Sequence, residues 1–128
     1  MKIEIYPAYH MTDWCTILRA KDKTKILEGT DYGVGREKIY LKALLKGLRK
    51  LKKSVDLEIY TQLKRIEIAL GEKRIHYWAK NSWNEVDPDC KTLWKETKKQ
   101  LDKHKKIECV RCRYNQNVYF YEAYKKCL

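Results

Sequence analysis

Cys109-Val110-Arg111-Cys112 has the spacing of a redox dithiol or of half a zinc site, and it is the first place in this chain where chemistry could reside. A reactive dithiol of this kind sits at a helix N-terminus, where the dipole lowers the thiol pKa. Here the segment reads as a strand, and a separation of three residues sends the two sulfurs to opposite sides of the pleat. Tetrahedral zinc would need a second close pair of ligands, whereas Cys15, Cys90 and Cys127 stand alone and His10, His76 and His104 are scattered. None of the histidines lies near a Cys or Ser in a way that suggests a nucleophilic pair. Five cysteines at irregular spacing point to reduced thiols, and structural thiols are the favoured reading. A redox or metal role for Cys109 and Cys112 stays open, and no cofactor is expected.

Charge supplies a second signal. Among 128 residues, 29 Lys and Arg against 17 Asp and Glu give a formal net charge of +12, which suggests a polyanionic partner. The competing reading, lysines that merely solvate helix faces, also stays open. No apolar run approaches the ~18 residues of a membrane span. The expectation is a soluble, cytoplasmic protein of one domain over residues 1–128, without a leader peptide or membrane partner.

The elements that must position these residues follow from periodicity. Ile3-Glu4-Ile5-Tyr6 alternates at period two and is expected to stop at Pro7. Trp14 to Ala20 and Lys25 to Gly29 complete an antiparallel meander around a polar turn at Lys21-Asp22-Lys23-Thr24. The pattern then changes period: Leu41, Leu44, Leu45, Leu48 and Leu51 share one helical face. Val55 to Thr61 is a strand reached through a helix, so a parallel, right-handed crossover is expected. Leu63 to Leu70 reads as a short helix ending at Gly71. Trp78, Trp83 and the acidic run Glu85 to Asp89 read as an aromatic-bearing protrusion. Thr92 to Leu101 is a helix with Leu93, Trp94, Thr97 and Leu101 inward, Lys106 to about Cys112 is the fifth strand, and Val118 to Lys126 is a terminal helix after the turn Asn115-Gln116-Asn117.

This order of segments resembles that of ribonuclease H domains. Ile3 to Tyr6 looks like the family's first strand, Trp14 to Arg19 like the second, Tyr40 to Leu51 like its first helix and Val55 to Thr61 like its fourth strand. Tyr77-Trp78-Ala79-Lys80-Asn81-Ser82-Trp83 looks like its tryptophan-bearing handle, and Leu93-Trp94-Lys95 like the helix after it. The resemblance covers nearly the whole chain and implies an α/β fold, a mixed five-stranded sheet flanked by helices.

The family hydrolyses the RNA strand of an RNA/DNA hybrid with clustered carboxylates that hold two cations about 4 Å apart. The resemblance places those carboxylate positions on Ala8, Tyr40, Gln62 and Tyr121, none of them acidic; Glu37 and Glu122 lie within a small register slip of Tyr40 and Tyr121. The expectation drawn from this is a pseudoenzyme that binds duplex or hybrid nucleic acid without being an enzyme or holding a metal. Arg36, Lys38, Lys64, Arg65, Arg111 and Arg113 flank those positions and are the candidate contacts to phosphates of an RNA/DNA hybrid or double-stranded RNA. The alternative is a protein-interaction domain, an inhibitor or adaptor, since ten tyrosines and four tryptophans suit an interface.

Overall fold

A computed structural model describes residues 1–128. Strands β1 (Lys2–His10), β2 (Asp13–Ala20) and β3 (Lys23–Thr30) form the meander; α1 (Arg36–Leu48) crosses to β4 (Asp56–Thr61). Next come α2 (Lys64–Ile66), a π-helical turn (Glu67–Gly71), α3 (Arg74–Lys80) and α4 (Lys91–Leu101), then β5 (Ile107–Arg111) and the terminal α5 (Val118–Lys125). The sheet order is β3-β2-β1-β4-β5. β1–β2 and β2–β3 are antiparallel, and β1–β4 and β4–β5 are parallel. The sheet is mixed, five-stranded and flanked by helices, as the segment pattern suggested.

Apolar alternation divides the core into two layers. Ile5, Leu57 and Ile59 face a large cluster with Leu41, Leu44, Leu48, Trp78 and Trp94. Tyr6, Ala8, Ile17 and Tyr60 face the other side, where Phe120 and Ala123 of α5 cover them. The first layer closes because α1 approaches β2 at Gly47, where a Cβ would lie 3.0 Å from Thr16 Cγ2. The Thr16 hydroxyl donates to the Ala43 carbonyl at 2.8 Å in the same contact. Burying that hydroxyl without a partner would be costly, and the bond removes the penalty.

Several expectations are corrected. β1 does not stop at Pro7 but continues to His10, with Pro7 opposite Thr16. The β1–β4 ladder ends at Ile5–Ile59, so the missing N–H of Pro7 falls beyond the ladder on that side and removes no bond from it. The first helix starts at Arg36 and ends at Leu48, leaving Leu51 outside it. Leu63 to Leu70 is one short α turn followed by a π turn. Trp78 and Trp83 do not protrude: they are 2% and 8% exposed, and Trp78 meets Trp94 edge to face at 5.3 Å. Cys112 lies just past β5.

Candidate functional site

In open sheets of this kind ligands bind outside the carboxyl ends of the parallel strands. At that end of β1 and β4 the chain builds a hydrogen-bonded bridge. Gln62 follows β4, and its side-chain oxygen accepts the backbone N–H of Tyr114 at 2.9 Å. The Tyr114 hydroxyl accepts from the Tyr9 N–H at 3.2 Å and donates to the Tyr9 carbonyl at 3.4 Å. Its ring stacks on Tyr124 at 4.4 Å and meets Phe120 edge-on at 4.5 Å. The ends of β1 and β4 are thereby clasped by one aromatic residue from the turn before α5, through its hydroxyl to Tyr9 and its backbone N–H to Gln62.

Of the four positions marked by the resemblance, three belong to this clasp and its floor. Ala8 is fully buried in the layer under α5. Tyr40 of α1 is buried and donates its hydroxyl to the Tyr60 carbonyl at 2.6 Å; burial holds its phenol well above the usual range, with Cys109 adding to the effect. Gln62 is the bridge itself. Tyr121 is not brought in: it is 42% exposed on α5, with the Lys125 ammonium 5.0 Å over its ring.

Divalent cations such as Mg²⁺ are hard ions that require oxygen ligands, and carboxylates serve them best. Ala8 offers a methyl group, the Tyr40 hydroxyl is spent on a carbonyl, and the Gln62 oxygen already accepts an N–H. The neighbouring acids Glu37 and Glu67 pair with Arg65 and Arg111 at 3.6 Å each. The side chains of Ala8, Tyr40 and Gln62, as placed, offer no free carboxylate oxygen to a cation.

The candidate cations divide by environment. Arg36, Lys38, Lys64 and Arg113 form no ion pair, and Arg36, Lys64 and Arg113 are exposed. Arg36 sits within electrostatic reach of Tyr9: burial pushes that phenol up, while the Arg36 charge pulls it down. Arg111 donates to the Gln62 carbonyl at 3.3 Å and, with Arg113, Gln62 and Gln116, lines a cleft of about 320 Å³. Arg36 and Lys38 line a separate cleft of about 340 Å³ that also holds Asp87 and Asp89. Arg65 is engaged inward: its guanidinium lies 4.1 Å over Trp78 and donates to the Glu85 carbonyl at 2.7 Å.

The roles of Tyr114 and Glu37 escaped the sequence reading. Glu37 accepts the Trp94 indole N–H at 3.1 Å while pairing with Arg65, a link across 57 residues that no local pattern announces. A readable sign near Tyr114 was Asn117, which caps α5 by accepting from the N–H groups of Tyr119 and Phe120.

The thiols conform to the structural reading. Cys109 packs with the layer under α1 and Cys112 with the layer under α5, on opposite sides of the sheet. Burial pushes the Cys109 thiol up to about 12 and raises that of Cys112, the reverse of what a reactive dithiol requires.

No family model matches the chain. It is 34% identical over 89 residues to a ribonuclease H of Caldicellulosiruptor saccharolyticus, covering 70% of this chain and 57% of that protein. It is 33% identical over 95 residues to a ribonuclease H of Rickettsia canadensis, covering 71% and 60%. The chain thus spans about three-fifths of the length of the curated relatives it matches. Among solved structures, RNase H1 of Halobacterium salinarum superposes with a TM-score of 0.67 at 11% identity, over 99% of this chain and 97% of that one. A foamy viral protease-reverse transcriptase in complex with double-stranded DNA also gives 0.67 at 11% identity, over 98% and 92%. The relatives are named for an enzyme, and this overturns the expectation, drawn from Ala8, Tyr40, Gln62 and Tyr121, that the chain is not one. No helix is long and apolar enough to cross a membrane. The sequence relatives and the superposed folds together identify the chain as a ribonuclease H-like domain.

Proposed function

We propose that residues 1–128 act as one domain that holds duplex nucleic acid, an RNA/DNA hybrid or double-stranded RNA, across the carboxyl ends of β1 and β4. The observation that carries this reading is the cationic border of the Tyr9–Tyr114–Gln62 bridge. Arg36 stands near Tyr9, while Arg111 and Arg113 line the cleft at Gln62. Arg36, Lys38, Lys64 and Arg113, free of carboxylate partners, are the groups available to phosphates. Such contacts fix a duplex in place without reading its sequence, and an A-like helix is recognised through its shape and backbone. Arg65 supports the site from within, by holding Glu37 and Trp78 together, while its neighbour Lys64 faces solvent.

The test is fluorescence anisotropy with matched RNA/DNA hybrid, double-stranded RNA and double-stranded DNA across a salt series with Mg²⁺ present. Strand scission, the activity for which the relatives are named, is read on gels from the same samples. Tight binding to hybrid or double-stranded RNA that weakens steeply with salt is expected. Absence of binding at low salt would overturn the reading and shift attention to a protein partner for this scaffold.

A further inference from the structure

At the other end of the parallel strands, a third cleft of about 350 Å³ opens between the turn leading into α3 and the segment joining α4 to β5. Its floor is apolar, with Ile75 and Leu101 each 3% exposed and Ile107 beside them. Its rim carries Lys73, Lys98, Lys105 and Lys106 against a single carboxylate, Asp102. Lys98 neutralises Asp102 at 2.7 Å, and Lys106 is paired with Glu108 at 3.0 Å. Lys73 and Lys105 have no acidic partner, so two ammonium groups stand over an apolar floor with their charge uncompensated. Like charges gathered around a concave surface raise the local potential and draw anions to it.

Two further features mark this cleft. Lys73 has a left-handed backbone at φ 59, a conformation that costs a residue other than glycine and concentrates at ligand sites. His104 lines the cleft and accepts the Val55 N–H on Nδ1 at 3.2 Å, which leaves Nε2–H as its donor. Burial, with the neighbouring Lys103 charge, keeps this imidazole neutral by lowering its pKa.

We propose that this cleft is a second binding site, distinct from the duplex surface, for a phosphorylated ligand of mononucleotide size. The phosphates would rest on Lys73 and Lys105, and a flat base would cover Ile75, Leu101 and Ile107. The volume lies at the small end of ligand pockets, and Leu70, Ile75, Leu101 and Ile107 give it an apolar floor inside a largely basic lining.

The test is calorimetric titration of the whole chain with ATP, with inorganic tripolyphosphate and with adenosine, near physiological ionic strength. ATP is expected to bind more tightly than tripolyphosphate, and adenosine weakly or not at all. Lys73→Glu with Lys105→Glu is expected to weaken ATP at least tenfold. The charge-matched pair Lys21→Glu with Lys23→Glu, at the β2–β3 turn, is expected to leave it unchanged. Circular dichroism checks that both pairs fold. Equal weakening in the two pairs would reduce the effect to the overall positive charge and overturn the proposal, as would no binding at millimolar ATP. Displacement of ATP by a short single-stranded RNA of far higher affinity would overturn it as well, because the occupant would then be a nucleic-acid chain.

Discussion

The side-chain oxygen of Gln62 accepts the backbone N–H of Tyr114 across 52 residues of sequence. One side chain thus ties the exit of β4 to the turn that delivers α5. Gln62→Ala removes the acceptor and leaves a part-buried N–H without a partner, a loss of about 1–2 kcal/mol. Gln62→Glu keeps an acceptor oxygen and should lose less than half as much. Urea denaturation midpoints at pH 7 check this, and equal destabilisation by the two variants would show that the bond contributes little.

Tyr40 fills its position from below. Tyr40→Phe removes the hydroxyl that donates to the Tyr60 carbonyl and should cost about 1 kcal/mol. Tyr40→Glu places a carboxylate where the native residue is 1% exposed. The buried charge has no cation to meet it, so the loss should exceed about 3 kcal/mol or prevent folding at 37 °C. Thermal unfolding of the two variants against the unaltered chain measures the difference.

These residues also show what the sequence could reveal. The meander, the α1 crossover and the fifth strand were legible because period-two and period-3.6 apolar patterns report directly which face is buried. Pro7 misled because a proline ends a strand only where its missing N–H is needed, and that depends on how far β4 runs beside β1. The tryptophans misled for a related reason: Trp78 lies in a stretch rich in polar residues, and only the approach of Trp94 and Arg65 shows that it is core. In the site, cationic residues were visible by type. Arg65 and Lys64 differ only in which way they face, and the Tyr9–Tyr114–Gln62 bridge joins three distant segments, which no single-sequence pattern encodes.

Arg65 and its neighbours should separate structural from ligand-facing cations. Arg65→Ala loses the stack on Trp78 and the bond to Glu85, and it should destabilise the fold by about 1 kcal/mol. Arg36→Ala with Lys64→Ala should change stability by less than about 0.5 kcal/mol. The same pair should flatten the log–log salt dependence of duplex binding by about 0.9 for each phosphate that is no longer neutralised. An unchanged slope would remove both residues from the interface.

Gly29 sits opposite Trp14 in the β2–β3 ladder, and a Cβ built there would lie 2.4 Å from the indole. Trp14 is 6% exposed, so its ring cannot swing into solvent without leaving Ile39 and Ala43, against which it packs. Gly29→Ala should therefore cost about 1–3 kcal/mol through overpacking. Gly35→Ala, where nothing lies within 4 Å of the added Cβ, is the control and should be nearly neutral by the same denaturant titration.

His104 gives the fold a pH dependence whose sign is fixed by its partners. Its Nδ1 accepts the Val55 N–H, and burial together with Lys103 lowers its pKa below the ordinary 6.5. The folded chain therefore refuses a proton that the unfolded chain takes up as pH falls below about 6.5. Stability from this group is complete above that pH and declines as pH drops toward the lowered folded value. His104→Gln retains an acceptor for Val55 but cannot titrate, while His10 and His76 remain in both proteins. Between pH 7.5 and 5 the unaltered chain should lose more of its urea midpoint than the variant does. A parallel fall in the two would place the pH dependence elsewhere and leave the Val55–His104 bond without a role in it.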